Sequence, residues 1–338
     1  MSQTSPTRTA SSVPPAAQVT PAAQYHGDLL ELLVEMRRAL KARGESLPPT
    51  WPEEAEGELR AKRMLGWVLE PRGERRGLAV LAVRNGRGFG QIHFSGGPQE
   101  LPGAMEMVRA VDTHRPPGMR RIDLAVSADP EETESAWGKL LDAPDPKLTF
   151  TVVHRRAMVR KLDPSLPPPA ETLPERFRFV PALALGPALL ASIDFPSFVG
   201  GPDEAMVAET PEDNERLLRG LLEGDLGAPL REASAAVVLE EESSEGPKGH
   251  LVGFSLCLEE NPHSALLADI AVLPKYRKQG IGKAILARSL RGLVALGFTE
   301  ARLWVTEANT GALKLYERAG FTTERLGRIL RWTAPRAS

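Results

Sequence analysis

The sequence predicts a mixed α/β fold divided between two domains. The chain has 338 residues, more than one hydrophobic core usually organises. A proline-rich segment, 162–175, is typical of a semi-rigid linker between the two halves. Each half ends in the same order of predicted elements (helix, strand, helix, strand), which suggests a structural repeat. We therefore expect a disordered tail over 1–25, a first domain over 26–161 and a second over 176–338.

Composition narrows the classes of partner. The formal net charge is −2, which argues against a nucleic acid or an anionic membrane as partner. No apolar run approaches the roughly 18 residues of a membrane-spanning helix. The tail, Met1–Gln24, lacks the apolar centre of a secretory signal, so we expect a cytoplasmic protein. The single cysteine, Cys257, lies among apolar residues, which predicts a buried thiol and excludes an internal disulfide.

Hydrophobic periodicity and turn residues predict the elements of the first half. The Asn85-Gly86 pair is a hairpin signal between two strands. In order, the predicted elements are a helix from Asp28 to Gly44, strands Leu78–Val83 and Phe89–Phe94, a helix Glu100–Val111, a strand Ile122–Val126, a helix Glu132–Leu141 and a strand Phe150–Arg160.

The second half follows a similar plan, with an antiparallel meander of three strands before its last helices. In order, we expect a strand Arg178–Pro181, helices Pro187–Ile193 and Pro211–Leu222, the meander Ala235–Glu240, Leu251–Leu258 and Ala265–Leu273, a helix from Lys283 to Gly297, a strand Ala301–Val305, a helix Thr310–Ala319 and a closing strand pair within Phe321–Trp332.

A basic, glycine-containing turn, Arg277–Gly282, lies between a predicted strand and a predicted helix. Backbone N–H groups at a helix N-terminus favour negative charge, and Gly280 and Gly282 let a phosphate approach the main chain. Lys275 and Lys283 add positive charge beside it. The turn therefore suits a diphosphate, while a solvated basic turn remains the alternative.

Two familiar phosphate motifs do not fit this turn. A Walker A loop needs Ser or Thr after Gly-Lys, whereas Ala284 follows Gly282-Lys283. A dinucleotide fingerprint needs a third glycine where Ile285 stands. The strands before the turn also predict an antiparallel meander and not the start of a βαβ unit.

Two blocks of the second half resemble the GNAT N-acetyltransferases. Residues 268–282 resemble the acetyl-CoA signature of that family, whose core is Gln/Arg-x-x-Gly-x-Gly/Ala. Asn309 with 312–321 resembles its second hallmark, an Asn followed by Leu-Tyr-Glu-x-x-Gly-Phe. The resemblance covers 178–332. It implies two tandem GNAT folds, the N-terminal one degenerate, in an arrangement similar to that of mycothiol synthase.

The resemblance also implies a reaction: an acetyl-CoA-dependent N-acetyltransferase, with no metal, in which a primary amine of a small molecule or peptide attacks directly within a ternary complex. Strand residues before the turn would bind the pantetheine arm, turn amides the pyrophosphate, and Asn309 the region near the thioester. The implied CoA contacts are Ile270, Ala271, Val272, Arg277, Lys278, Gln279, Gly280, Ile281, Gly282, Lys283 and Asn309.

The implied proton carriers are less clear than the CoA contacts. Tyr316 would protonate the departing thiolate, although it could instead be core, and Asn309 could simply cap a helix. The glutamates that serve many family members as base are replaced here by Leu266 and Trp304. Asp269 is the carboxylate inside the core strand and becomes our candidate base, with a structural carboxylate as the alternative. Glu307 and His263 are weaker candidates.

The first half lacks the features that carry this chemistry. In Ser95–Pro102, at the place of the turn, prolines remove N–H donors and Glu100 would repel a phosphate. The stretch 136–141, which matches the Tyr316 helix, has no tyrosine. We expect no catalysis there, and a monomer or homodimer overall. A non-catalytic acyl-CoA-binding module, and a longer acyl group, remain alternatives.

Overall fold

The computed structural model describes residues 19–42, 47–72, 75–84, 86–95, 101–127, 149–165, 168, 172–204, 210–241 and 248–334. The chain forms two compact units. The first comprises Met1–Val152 with Arg328–Ser338, and the second Val153–Gly327. Within the described ranges, no helix has the length and apolar character needed to cross a membrane.

The first unit is a sheet in the order β1-β2-β3-β4-β5, with the end of β12 beyond β5. Its pairs are antiparallel except β4 with β5, which is parallel. The described elements are β1 (Val19–Pro21), α1 (Leu29–Ala42), α2 (Trp51–Arg60), β2 (Leu65–Arg72), β3 (Arg75–Arg84), β4 (Arg87–Ser95), α3 (Leu101–Thr113) and β5 (Arg121–Ser127).

Two cores lie on opposite faces of this sheet. Residues of α1 and α2 pack on Val68, Leu78 and Val80, whereas α3 packs on the alternate residues Ala79 and Leu81. This alternation follows from the two-residue period of a strand. Helix α1 begins as the sequence predicts, because the Asp28 carboxylate accepts a hydrogen bond from the Glu31 amide at 2.8 Å.

The second unit is a sheet in the order β6-β11-β10-β9-β8-β7, with the start of β12 outside β6. The predicted meander is confirmed as β8-β9-β10, and β10 and β11 run parallel. Its elements are β6 (Thr151–Lys161), β7 (Phe177–Pro181), α4 (Gly186–Phe198), α5 (Pro211–Glu223), β8 (Ala235–Glu241), β9 (Lys248–Asn261), β10 (Ser264–Val272), α6 (Ile281–Ala295), β11 (Glu300–Thr306), α7 (Thr310–Arg318) and β12 (Thr322–Thr333).

Helices again cover both faces of this second sheet. Helices α4 and α5 pack on one face around Phe254 and Leu256. Helices α6 and α7 pack on the other around Leu267 and Leu303. Local signals set the helix ends: Thr210 caps α5 by accepting from the Asp213 amide at 3.1 Å, and a left-handed glycine follows that helix.

Three sequence expectations differ from the structure. The tail prediction is wrong at its end, because Val19–Pro21 pairs with β2 and Ala22 is fully buried. The predicted closing strand pair is the single strand β12. Helix α4 continues through Pro196, beyond its predicted end. Three elements of the first unit, β1, α2 and β2, were not predicted, and the predicted helix Glu132–Leu141 lies outside the described residues.

The compact units also differ from the predicted domain limits at two strands, β6 and the end of β12. The sequence assigns β6 to the first domain, yet β6 pairs residue by residue with β11, from Lys161 with Glu300 to Arg155 with Thr306. The sequence resemblance between the halves cannot reveal this, because strand partners are chosen by tertiary pairing. The division into folding domains stays a prediction.

Close packing of α6 gives a testable prediction. A Cβ at Gly292 would lie 2.6 Å from Cα of Ala233, on main chain that cannot move aside cheaply. We expect Gly292→Ala to lower the free energy of unfolding by about 1–3 kcal/mol, although alanine favours a helix. In α2, a Cβ at Gly57 meets nothing within 4 Å. Gly57→Ala should therefore raise the free energy of unfolding by about 0.5–1 kcal/mol. Urea unfolding of both variants measures this, and stabilisation by Gly292→Ala would contradict it.

Candidate active site

Strand β10 parts from β11 halfway along its length. The two strands pair only from Ser264 with Glu300 to Leu266 with Arg302, although β10 stays paired with β9 as far as Val272. A register shift between Leu267 and Asp269 marks a β-bulge, which bends and twists the strand that carries it. The parting leaves a slot between β10 and β11 whose β10 edge carries Ile270, Ala271 and Val272. Unpaired strand edges accept an extended ligand.

The turn after β10 has the conformation of an anion site. Lys278 and Gly280 have positive φ angles, 62° and 85°, and Gly280 precedes α6 without a side-chain cap. The first intrahelical bond runs from the Ala284 amide to the Gly280 carbonyl at 3.0 Å. The amides of the residues just before Ala284 therefore have no acceptor within the helix. Alternating backbone handedness and a bare helix N-terminus form a concave set of donors for an anion.

Space around Gly282 fits the approach of a ligand. A Cβ added there would meet only Leu315 and Val272 side chains, both at 3.8 Å. The protein's own packing therefore does not require glycine at this position. A group that approaches the main chain from outside would require it.

The side chains of the turn differ in their exposure and in their contacts. Ile281 is buried in the core, whereas Lys278, Gln279 and Lys283 are exposed. The Arg277 guanidinium donates to the Val272 carbonyl at 3.0 Å and to the Ser197 carbonyl of α4. Arg277 thus ties the turn to β10 and α4 through its side chain.

Asn309 lies at the start of α7, and Tyr316 lies within that helix. The Asn309 side chain accepts from the Ala312 amide at 3.0 Å, so its predicted role as helix cap is confirmed. Its amide also donates to Asp203. The Tyr316 ring packs edge-on against Phe321, with centroids 5.9 Å apart, and its hydroxyl has no hydrogen-bond partner among the described residues. Burial, then the charges of Asp203 and Asp269, raise the pKa of Tyr316.

Three carboxylates meet on the α4 face of β10: Asp194 from α4, Asp203 from the segment after it, and Asp269. Asp194 is 1% exposed and accepts from the Asn214 side chain of α5 at 2.8 Å. One oxygen each of Asp194 and Asp203 is buried without a hydrogen-bond partner in the described part of the chain. Such a cluster is costly unless protons or a cation compensate it.

The pKa values of this cluster follow from its burial. Burial is the largest cause that raises the pKa of Asp269 well above its usual range, and the neighbouring Asp194 adds to it. Burial likewise raises the pKa of Asp194, against hydrogen bonds from Asn214 and Asp269. A proton held between Asp194 and Asp269 supplies the donor that the buried pair otherwise lacks.

Sequence reasoning missed Asp194, Asp203 and Asn214. The available signals were weak: one carboxylate in the apolar run of α4, and one amide on the inner face of α5. The bulge turns Asp269 toward them, because regular alternation would place it on the same face as Leu267, beneath α6. No sequence pattern marks that bulge.

The other candidates are placed less favourably for proton transfer. Glu307 accepts from Arg156 at 3.2 Å, and His263 is exposed. Trp304 has the Arg325 guanidinium over its ring at 4.9 Å. Cys257 is fully buried as predicted, and burial raises the pKa of its thiol to about 12. In the described part of the chain, no group of three His, Cys, Asp or Glu side chains is arranged to hold a metal.

The β10–β11 pair opens along its length, and a helix N-terminus without a side-chain cap follows it. This geometry is that of an α/β domain suited to an extended ligand that carries a phosphate. The particular family follows from comparison: residues 204–321 match the acetyltransferase (GNAT) family. This match confirms the predicted resemblance of the second half to the GNAT acetyltransferases.

Curated relatives match about a quarter of the chain. Mycothiol acetyltransferase of Salinispora tropica is 38% identical over 93 residues, which is 26% of this chain and 28% of that protein. The match thus spans little more than a quarter of that relative's length.

Solved structures match nearly the whole chain at low identity. A GCN5-related N-acetyltransferase from Sphaerobacter thermophilus superposes with a TM-score of 0.57 and 19% identity, over 93% of this chain and 95% of that one. A GCN5-related glucosamine N-acetyltransferase region of a fungal multi-domain β-N-acetylglucosaminidase gives 0.55 and 16%, over 95% and 38%. These similarities support the predicted mixed α/β GNAT fold.

The buried carboxylates predict an unusual dependence of stability on pH. Asp269 has a raised pKa, so the native state binds a proton that the unfolded state has already lost. The free energy of unfolding then falls as pH rises from about 4 toward the raised pKa of Asp269. The slope is up to about 1.4 kcal/mol per pH unit for one proton. Asp194, Asp203, Tyr316 and Arg155 share this environment.

We therefore expect Asp269→Asn to be more stable than the parent protein at pH 8 and to show a flatter stability profile. Urea unfolding between pH 5 and pH 8 measures both effects. Asp225→Asn, at an exposed position, is the control and should keep the parent profile. A less stable Asp269→Asn protein at pH 8 would contradict the assigned cause.

Proposed function

We propose that the second unit is an acetyl-CoA-dependent N-acetyltransferase that acts on a primary amine by direct attack. The observation that carries this proposal is the combination of the slot between β10 and β11 with the bare turn at its end. A slot with free backbone groups suits the amide-rich pantetheine arm, and the turn suits the pyrophosphate. The mycothiol acetyltransferases among the relatives favour acetyl as the acyl group.

We assign the CoA contacts as the resemblance implies. Ile270, Ala271 and Val272 would pair with the pantetheine arm, and the amides from Lys278 to Lys283 would hold the pyrophosphate. Arg277 would position the turn through its bonds to Val272 and Ser197. The bound thioester supplies the electrophilic carbonyl, which a backbone N–H near Val272 would polarise.

Asp269 is proposed as the general base. An amine with a free pKa of about 10 is mostly protonated at pH 7 and must lose a proton before it attacks. A carboxylate with an ordinary pKa accepts that proton poorly, whereas one with a raised pKa is better matched to the task. Burial beside Asp194 raises the pKa of Asp269 in the required direction.

Tyr316 is proposed as the general acid toward the departing thiolate. Its hydroxyl is free of protein hydrogen bonds among the described residues and stays protonated at working pH. The charge of Asp269 is one cause of its raised pKa. When Asp269 takes the amine proton, that charge disappears and Tyr316 becomes a better donor. Proton removal from the amine by Asp269 and proton delivery to the thiolate by Tyr316 are thus electrostatically coupled.

The acceptor is proposed to be a small molecule or peptide whose ammonium group enters a negatively charged cleft. The negative charge comes from Asp194, Asp203 and Asp269. Two of their buried oxygens accept no hydrogen bond from the described residues. The remaining expectations stay proposals: a cytoplasmic protein, monomeric or homodimeric, with no nucleic-acid or membrane partner and no metal.

The first unit is proposed to be degenerate and not to catalyse acetyl transfer. Its parallel strands β4 and β5 pair through six successive registers, from Arg87 with Arg121 to Ile92 with Val126. In the second unit the equivalent pairing ends after three registers. No slot opens along the paired length. The residues expected in place of the turn, 96–100, lie outside those described.

A non-catalytic acyl-CoA-binding module remains the alternative, favoured by Leu266 and Trp304 where family members carry a base. Measuring CoA release with a panel of primary amines separates the two functions. Calorimetric binding of CoA without release on any amine would favour the module. Comparing acetyl-CoA with longer acyl-CoAs tests the acyl group.

The acid role predicts a specific defect. We expect Tyr316→Phe to lower kcat about 100-fold or more, as general acid–base groups typically contribute, with little change in acetyl-CoA binding. Steady-state kinetics and calorimetry measure the two quantities. Tyr276→Phe removes a hydroxyl outside the proposed machinery and should keep parent rates. An unchanged kcat for Tyr316→Phe would reject the acid.

The base role predicts a shift in the pH–rate profile. Asp194→Asn removes a negative neighbour, which lowers the pKa of Asp269, so the acidic limb of kcat/KM should move to lower pH. Asp203, Tyr316 and Arg155 also face this group and remain in place. The exposed Asp225→Asn change should leave the limb where it is. A limb that stays fixed in Asp194→Asn would argue against Asp269 as the base.

A further inference from the structure

A second cluster of buried charge lies in the first unit. Asp123 of β5 accepts from the Arg121 Nε at 2.6 Å with one oxygen and from the Arg331 Nε of β12 at 2.6 Å with the other. All three side chains are less than one-tenth exposed. Both oxygens of the carboxylate are therefore engaged, each by the Nε of a different guanidinium.

Arg331 is left with its outer edge unused. Its Nη1 and Nη2 atoms are buried and have no hydrogen-bond partner among the residues that the structure describes. Buried polar groups normally find partners, and a buried charged donor pair is among the least favourable to leave unpaired. The two nitrogens of this edge form a planar fork, which matches two oxygens of a carboxylate or phosphate.

The surroundings of Arg331 reinforce the need for a negative group. Arg87 stands directly across from Arg121 in the β4–β5 ladder, and its Nε is also buried, with no hydrogen-bond partner within the described ranges. The pKa of Arg121 falls to about 10, first because of burial and then because the positive charges of Arg331 and Arg87 oppose the attraction of Asp123. Three guanidiniums thus act on one another around a single carboxylate of the described residues.

An exposed aromatic side chain lies beside this cluster. Phe89 pairs with Asp123 in the ladder, is 51% exposed and has the Arg87 guanidinium 5.9 Å from its ring centroid. Period-two alternation places Arg87, Phe89, Arg121 and Asp123 on one face of the sheet. Phe89 is therefore the exposed neighbour of these buried charges on that face.

We propose that the first unit binds a carboxylate- or phosphate-bearing anion through the Nη1–Nη2 edge of Arg331, with Arg87 adding positive charge nearby. The site is independent of the acetyl transfer proposed for the second unit. It gives a unit without a cofactor slot a ligand-binding role of its own. Asp123 aligns the two buried guanidiniums, and Arg331 supplies the two donors.

Titrating the full chain with inorganic phosphate, sulfate and acetate at constant ionic strength tests the proposal. We expect one saturable binding event by calorimetry that Arg331→Met weakens at least tenfold. Arg331→Lys keeps the charge without the fork and should weaken binding as well. Because Arg331→Lys keeps the buried positive charge beside Asp123, the test survives if Arg331→Met fails to fold. The exposed Arg63→Met change serves as the control.

The α6 turn could also bind phosphate, so the titration is repeated with Gly282→Asp, which places a carboxylate in that turn. Binding that persists in Gly282→Asp and weakens in Arg331→Met supports the site. Binding lost in Gly282→Asp but kept in Arg331→Met assigns it to the turn and overturns the proposal. Absence of saturable binding for all three anions in the parent protein overturns it equally. Which anion binds tightest distinguishes a phosphate from a carboxylate ligand.

Discussion

The bulge between Leu267 and Asp269 is the local feature on which the candidate active site depends. One extra residue in β10 bends the strand away from β11, and the same residue reverses the face to which Asp269 points. The slot and the carboxylate cluster are therefore two consequences of one irregularity. Pairing with β9 continues past the bulge, so the bent strand remains anchored on one side while its other edge stays open.

The cluster of Asp194, Asp203 and Asp269 shows a conflict between stability and function. Burying carboxylates beside one another opposes folding, because burial and mutual repulsion both disfavour their charged forms. The same arrangement raises the pKa of Asp269 toward the range in which a base can take a proton from an amine. The apolar cores on both faces of the sheet provide the stability that permits this arrangement.

Both units cover the two faces of a mixed sheet with helices, but they differ at the parallel strand pair. In the second unit the pair opens, and a turn rich in free amides follows the open strand. In the first unit the pair stays closed, and buried charge concentrates instead at Arg121, Asp123 and Arg331. A repeated fold can thus keep its layers while its polar groups move to another part of the sheet.

The sequence by itself determined most of the helices and strands, because periodicity, prolines and capping residues act locally. Asp28 and Thr210 begin helices, and Gly280 permits the left-handed turn before α6. The turn, Asn309 and Tyr316 were also identifiable from sequence, because they lie in two short blocks with fixed spacing. Strand β1 and helix α2 were missed, because a three-residue strand and a polar helix carry little periodic signal.

Only the tertiary structure decided which groups meet. The pairing of β6 with β11, the parting of β10 and the approach of Asp194 to Asp269 each join residues far apart in the chain. The face of Asp269 depended on a one-residue bulge, and a one-residue shift moves a side chain to the opposite face of a sheet. Long-range pairing and strand register are properties of the packed fold, and for that reason the sequence pattern alone did not contain them.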